Sequence, residues 1–239
     1  KRQRVLLAAA APLLYLQFQP PIRDLVNQAG DPSTSAAYYQ PLLTFLRQQA
    51  GPPFRIEIPP TRFHYETYEV APRFVLARGW ERQLDIRYDD LFYAGPLTAA
   101  TYDAWLHQFA VRFVAVADAP LDYAATKEVR LIEGGPPYLH EVLHTRHWRV
   151  YEVADPTPIV TGAATLTSLG PNSLTLAATR PGVALLRVHF TPYWTLGRGQ
   201  GCVRPAGQFT ELQLRHAGPA QLTIRFAFSR IGAQSARCN

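Results

Sequence analysis

The chain has 239 residues, 47% hydrophobic and 18% charged, a composition that excludes a disordered protein and fits one large domain or two small ones. Residues 1–155 hold 16 basic and 17 acidic residues, whereas residues 156–239 hold eight Arg and a single acid, Glu211. This step in net charge from −1 to +7 predicts a boundary near residue 156. The basic part favours an anionic partner such as lipid head groups, acidic glycans or nucleic acid, or else carries a solvated basic surface.

The N-terminal segment is basic at residues 1–4 and then apolar from Val5 to Phe18, interrupted by Pro12 and Gln17. An apolar run of this length is shorter than the roughly 20 residues that span a bilayer. We consider three interpretations: a signal peptide without a clear cleavage site, the truncated end of a transmembrane helix, and a buried core helix. The first two place the remainder of the chain outside the cytoplasm. The absence of Met favours a fragment or processed form of a longer protein.

The next segment mixes helical and strand patterns. A capping cluster, Asp31–Ser35, precedes apolar residues at helical spacing that continue to Gln49. Further elements follow from periodicity and from Gly/Pro boundaries. They are a strand over 54–58, one or two strands over 65–76, a helix over 102–109, a strand over 111–116, a helix over 127–133 and a strand over 148–153.

Beyond residue 160 short strands alternate with Gly/Pro/Asn turns, a pattern typical of a sandwich or jelly roll. The predicted strands are residues 173–176, 184–190, 211–215 and 221–228. The predicted fold class is therefore α+β, with three parts: residues 1–29 as a membrane-proximal helix or transmembrane stub, residues 30–158 as a mixed α/β subdomain and residues 159–239 as a jelly-roll-like antiparallel β-sandwich. The two cysteines, Cys202 and Cys238, predict a disulfide in an oxidising compartment, with two unrelated thiols as the alternative.

One stretch, His140-Glu141-Val142-Leu143-His144, spells the zinc-peptidase motif H-E-x-x-H. On a helix the two His would bind Zn²⁺ and the Glu would activate water. The context is poor, because Gly/Pro residues precede the motif and a strand follows it. We therefore favour a polar loop, with no metal and no cofactor, and keep a zinc hydrolase using His140 and His144 as the alternative.

Two aromatic stretches are candidates for sugar binding. In the first, Trp80 offers a stacking face, and Arg78, Arg82 and Asp85 offer hydrogen-bonding groups, although local charge pairing around an anchoring Trp explains the pattern equally. In the second, Tyr193 and Trp194 end a strand at a sandwich edge, and a mobile hairpin is the alternative. No nucleophile elbow, phosphate loop or dinucleotide fingerprint is present in the sequence. No catalytic residue is assigned.

Several stretches together resemble the C-terminal extracytoplasmic region of large bacterial multi-pass membrane proteins related to GT-C glycosyltransferases. They are residues 37–42, 55–59, 77–85, 91–93, 148–151 and 190–194. The resemblance spans most of residues 36–230. It implies a membrane part that carries the catalytic acid, a soluble part with a mixed α/β piece and a jelly-roll-like sandwich, and chemistry on lipid-linked sugars and cell-envelope glycans.

These observations predict a non-catalytic domain on the extracytoplasmic side of the cell membrane. We expect it to bind or position a cell-envelope glycan or lipid-linked sugar. Its expected partners are its own membrane domain and anionic lipid head groups, and no nucleic acid. A zinc-dependent hydrolase and a purely structural interaction module are the alternatives.

Overall fold

Helices and short strands alternate in the first two thirds of the chain. The computed structural model describes residues 2–79, 82–228, 231 and 238. Six α-helices lie in this part: α1 (Arg2–Ala29), α2 (Ala36–Arg47), α3 (Tyr65–Glu69), α4 (Arg82–Tyr88), α5 (Ala99–Gln108) and α6 (Thr126–Glu133). Two 3-10 helices, Pro32–Thr34 and Asp90–Phe92, complete the helical set. The predicted capping cluster caps the first 3-10 helix, where the Asp31 carboxylate accepts from the Ser33 N–H over 2.8 Å.

A five-stranded mixed sheet forms the centre of this part. Its strands are β1 (Arg55–Glu57), β2 (Val75–Leu76), β3 (Val111–Ala117), β4 (Leu139–His144) and β5 (Trp148–Val153). The order is β2-β1-β3-β5-β4. The first three strands are parallel, and β5 and β4 continue the sheet in antiparallel fashion. Both faces are covered by helices, so β1 and most of β3 are buried throughout instead of alternating.

The 28-residue helix α1 contains the predicted apolar run and three internal prolines. Many of its large apolar side chains are exposed, among them Leu13, Tyr15, Leu16 and Leu25. Among the helices of the described residues, none combines the length and the apolar character needed to cross a bilayer. The assignment of residues 1–29 to a membrane stub, like the predicted domain limits, stays a prediction.

The last third of the chain forms two antiparallel four-stranded sheets that pack around one apolar core. The strands are β6 (Val160–Gly162), β7 (Ala164–Gly170), β8 (Ser173–Ala178), β9 (Gly182–His189), β10 (Trp194–Arg198), β11 (Gly201–Ala206), β12 (Phe209–Leu214) and β13 (Gly218–Ile224). One sheet has the order β10-β13-β8-β7 and the other β11-β12-β9-β6. This arrangement confirms the predicted α+β class with a β-sandwich. A disulfide joins Cys202 on β11 to Cys238, as predicted.

A buried arginine joins the two halves. Arg55 on β1 donates from Nη1 to the carbonyl oxygen of Phe109 and from Nη2 to that of Arg187 on β9, the latter over 2.9 Å. Phe209 of the sandwich also packs against the aromatic residues beneath the mixed sheet, with its ring centroid 5.6 Å from that of Phe109. The sandwich is therefore packed directly on the mixed sheet.

Two local predictions were wrong. Residues 65–69, assigned to a strand, form helix α3, because the Glu66 carboxylate accepts from the N–H and the hydroxyl of Thr61 and so turns the chain there. Residues 139–144, assigned to a loop, form strand β4, since they pair with β5 along their whole length. At β4, pairing with the neighbouring strand overrides the local pattern.

Candidate functional site

A polar cleft lies at the carboxyl edge of the mixed sheet. β2 lies on one side of β1 and β3 on the other, so the connection from β2 to β3 crosses β1. In open α/β sheets ligands bind outside the carboxyl ends of strands at such a switch point. The loops after β1 and β3 are tied together here, because Asp122 N–H donates to the Pro60 oxygen and Arg62 N–H to the Pro120 oxygen, over 2.9 and 2.8 Å.

Asp118 is the central residue of this edge and directly follows β3. Its carboxylate accepts from the hydroxyl of Tyr38 on α2 over 2.6 Å and contacts Nδ1 of His147 at 2.9 Å. Its backbone N–H donates to the His147 carbonyl oxygen. Half of the Asp118 side chain is nevertheless exposed, which leaves carboxylate surface for a ligand.

His147 is positioned by the tight turn between β4 and β5. The Thr145 hydroxyl accepts from the N–H groups of His147 and Trp148, and the Thr145 N–H donates to the Trp148 carbonyl oxygen over 2.8 Å. The His147 ring also packs on Tyr38, with centroids 4.8 Å apart. The indole of Trp148 donates in turn to the Tyr38 carbonyl oxygen, so α2 and the turn fix each other.

The cleft has a volume of about 480 Å³. One wall is formed by Tyr38, Asp118 and His147, and the other by the carboxyl-terminal end of α1 and the loop that follows it. Arg62 and Phe63 border the opening, with the guanidinium 5.3 Å from the ring centroid. The cleft thus combines an anionic, a cationic and an aromatic group within one concave surface.

The electrostatics favour an ionised Asp118. Partial burial alone would raise the pKa of this carboxyl, but the hydrogen bonds from Tyr38 and His147 outweigh burial and hold it below its ordinary value. Burial and the neighbouring Asp118 raise the pKa of Tyr38 far above its ordinary value, so its hydroxyl remains a donor. Asp118 is therefore a fixed acceptor near neutral pH.

A second polar network supports the same edge. His64, in a left-handed backbone conformation with φ 56°, places its ring between the carboxylates of Glu66 and Asp122, each 3.5 Å away. The adjacent Glu66 carboxylate raises the pKa of His64 against the opposing effect of burial. Arg82, one of the predicted sugar ligands, donates to Asp122 over 2.8 Å and lies over the Tyr123 ring. The predicted Trp80 lies outside the described residues.

Two other predicted ligands, Arg78 and Asp85, lie in the core. Arg78 Nε donates to Glu57 over 3.0 Å, its Nη2 donates to Glu128 over 2.9 Å, and its guanidinium stacks on Phe92. Asp85 is buried and accepts from the Tyr93 hydroxyl. These side chains are thus engaged in the interior, where Arg78 pairs locally with Asp85, 4.0 Å away, and also with the distant Glu57 and Glu128.

At the sandwich edge the two predicted aromatic ligands differ. Trp194 is buried, and its indole donates to the His189 carbonyl oxygen over 3.0 Å, so its face is part of the core. Tyr193 is half-buried and packs its ring on Phe226, with centroids 5.3 Å apart. Only Tyr193 of this pair presents a surface to the outside.

The H-E-x-x-H sequence lies on strand β4 and not on a helix. Glu141 is held by Arg149, which donates to it over 2.7 Å, and His144 Nδ1 lies 3.3 Å from the same carboxylate. Within the described ranges, no group of three or more His, Cys, Asp or Glu side chains is arranged to hold a metal ion. A helical zinc site is therefore not formed by these residues.

The cleft brings together residues that sequence reasoning did not assign. Tyr38 and Asp118 are 80 positions apart, and Asp118 and His147 are 29 apart. The available signal was an acidic residue directly after a buried strand, because such positions reach the carboxyl edge of a parallel sheet. No family model, curated protein or solved structure matches this chain.

Proposed function

We propose that the chain is a non-catalytic module that holds the sugar part of a cell-envelope glycan or lipid-linked saccharide, on the extracytoplasmic side of a membrane protein related to GT-C glycosyltransferases. The observation that carries the proposal is the half-exposed Asp118 carboxylate, fixed by Tyr38 and His147 inside the cleft at the switch point. Binding groups that are fixed beforehand lose little conformational freedom when a ligand arrives.

The chemistry of the cleft suits a hydroxyl-rich ligand. Asp118 accepts hydrogen bonds from hydroxyl groups, and Arg62 donates to hydroxyl or ring oxygens. With Nδ1 of His147 turned to Asp118, Nε2 is the ring nitrogen that remains for a ligand. Phe63 adds an apolar face against which a sugar ring packs.

The carboxyl groups support a proposal of binding without cleavage. A general acid for glycoside cleavage needs a raised pKa, whereas the pKa of Asp118 is lowered. The carboxyl group of Asp89 has a raised pKa, but it is buried beneath the sheet, where Trp105 donates to it. The disulfide supports an extracytoplasmic location, because such bonds persist in oxidising compartments.

The test is a calorimetric and NMR titration of the chain with neutral and anionic envelope oligosaccharides. We expect binding that weakens roughly tenfold or more in Asp118→Asn and in Arg62→Gln, the cost of losing a hydrogen bond to a charged group. Glu133→Gln, at an exposed acid at the end of α6, is the matched control and should bind as the wild type does. Absence of saccharide binding, or equal binding by Asp118→Asn, would refute the proposal and leave the structural interaction module as the better description.

A further inference from the structure

A cluster of large apolar side chains is exposed where the sandwich ends. We call it the terminal aromatic patch, and it consists of Tyr193, Ile224, Phe226, Phe228 and Ile231. Phe226 is 63% exposed, Phe228 81% and Ile231 61%. Single exposed apolar residues are ordinary, but a contiguous group of this kind marks a surface that meets an apolar environment.

The patch is an ordered surface. The ring of Phe226 lies between those of Tyr193 and Phe228, with centroid distances of 5.3 and 5.1 Å. The Ile231 N–H donates to the Phe228 carbonyl oxygen over 3.1 Å, which keeps Ile231 close to Phe228. Trp194, the residue after Tyr193, is buried in the sandwich core, so the patch begins where the core ends.

The surroundings of the patch are basic. Residues 156–239 carry a net charge of +7, and no acidic residue follows Glu211. Arg225, between Ile224 and Phe226, is exposed, whereas Arg198 is exposed at the far end of β10, which runs away from the patch from Trp194 onward. An exposed apolar group on a module of net positive charge complements a surface with an apolar interior and anionic head groups.

We infer that the terminal aromatic patch docks on an anionic lipid bilayer, with Phe226 and Phe228 entering the interface and the net positive charge of the sandwich attracting the anionic head groups. A second copy of the chain is a poorer occupant, because it would bring another +7 module against the first. The ring contacts of Phe226 with Tyr193 and Phe228 hold the aromatic side chains together before they meet the lipid.

The experiment is co-sedimentation of the whole chain with vesicles of phosphatidylcholine, alone or in equal mixture with phosphatidylglycerol. We expect binding to the mixed vesicles that falls roughly tenfold for each of Phe226→Ser and Phe228→Ser, from the lost apolar burial. Added salt should also weaken binding, because it screens the attraction between the basic sandwich and the anionic lipid. Tyr68→Ser on α3, 74% exposed, is the matched control and should bind as the wild type does.

Three results would overturn the inference. The first is equal binding to both kinds of vesicle, or none to either. The second is a loss of binding in Leu13→Ser/Leu16→Ser of α1 while the Phe variants still bind, which would assign the contact to the other exposed apolar surface. The third is a self-association that the Phe variants abolish without affecting vesicle binding. Because the vesicles contain no sugar, each result is separate from the saccharide titration.

Discussion

The mixed-sheet part and the sandwich are held together in different ways. Among the described residues ten polar or charged residues are buried, and nine of these lie in the mixed-sheet part; Thr210 alone belongs to the sandwich. The sandwich core is built from aliphatic side chains and Trp194, and the Arg residues that the structure describes there, between residues 180 and 225, lie at or near the surface. Under the mixed sheet, in contrast, the Arg78 guanidinium is surrounded by the carboxylates of Glu57, Asp85 and Glu128.

The different interiors of the two parts lead to different functional surfaces. A buried ion pair must be matched by partners, since removing one partner leaves an uncompensated charge in the interior. The mixed-sheet part therefore has a polar interior of paired charges, and at its edge Asp118 is fixed by Tyr38 and His147. The sandwich instead leaves its described Arg residues at or near the surface, where they make this part of the molecule basic.

The largest effect is expected at Arg78. In Arg78→Met the carboxylates of Glu57 and Glu128 lose their cation, so the free energy of unfolding at neutral pH should fall by about 3–5 kcal/mol, or the chain should not fold. Burial acts to lower the pKa of Arg78, but these carboxylates outweigh burial and raise it. The raised pKa reflects the same attraction between Arg78 and the carboxylates that Arg78→Met removes. Urea denaturation followed by circular dichroism gives the value.

Two controls separate charge from packing. Arg130→Met, at an exposed position of α6, should change stability by no more than about 0.5 kcal/mol. Leu222→Ala leaves a cavity in the sandwich core and should cost about 2–5 kcal/mol, by an amount that does not vary with pH. The Arg78→Met loss should shrink at low pH, where the carboxyl groups are protonated. A loss at Arg78 that is as pH-independent as that of Leu222→Ala would contradict the charge argument.

A smaller effect is expected at Asp89. Burial raises the pKa of Asp89 to about 7 in spite of the hydrogen bond from Trp105, whereas an unfolded Asp titrates near pH 4. The folded chain therefore binds a proton that the unfolded chain releases between these values, so stability falls as the pH rises from about 4 to 7. At about 1.4 kcal/mol for each pKa unit, the loss should be about 2–4 kcal/mol.

Asp89→Asn isolates this contribution. Its side-chain oxygen still accepts from the Trp105 indole, but it has no proton to lose. The variant should be more stable than the wild type at pH 8 and should show a flatter stability profile between pH 4 and 8. His64 also contributes stability that is lost as the pH rises, because its pKa is raised, but that part is common to both proteins and cancels in the difference. Parallel profiles for the two proteins would disprove the assignment.

The two parts also differed in how far the sequence predicted them. Strands 173–176, 184–190 and 211–215 were found because short sandwich strands alternate between core and surface. Strands β6, β7, β10 and β11 were not predicted, since Gly, Thr and Arg residues blur the alternation there. In the mixed-sheet part most helices and strands were predicted, but the roles of their charged residues were not.

The roles of these charged residues were not predicted because their main ion pairs join residues that are distant in sequence. Arg78 and Asp85 were proposed as ligands because a Trp lies between them in sequence, yet Arg78 pairs with Glu57 and Glu128, 21 and 50 positions away. Sequence spacing predicts which residues share one face of an element, but not which elements meet. The cleft depends on such a meeting, because α2, the end of β3 and the β4–β5 turn each supply one of its groups.

The smallest effect is expected at the hydrogen bond between Tyr38 and Asp118 in the cleft. Tyr38→Phe removes the hydroxyl donor to Asp118 and should lower the free energy of unfolding by about 1 kcal/mol. Asp118 has a depressed pKa, so its stabilising contribution is present above its ordinary pKa and is lost as the pH falls. The variant should therefore show a higher Asp118 pKa and a smaller loss of stability in acid, measured by NMR titration of the carboxyl carbon.

The neighbouring Tyr39→Phe is the matched control, since its hydroxyl makes no hydrogen bond to Asp118 and should leave that pKa unchanged. If Tyr38 orients Asp118 for a ligand, Tyr38→Phe should also weaken saccharide binding severalfold while Tyr39→Phe does not. A changed pKa with unchanged binding would show that the carboxylate is fixed for the stability of the edge and not for recognition. Comparing Tyr38→Phe with Tyr39→Phe thus distinguishes a role of Asp118 in stability from a role in ligand binding.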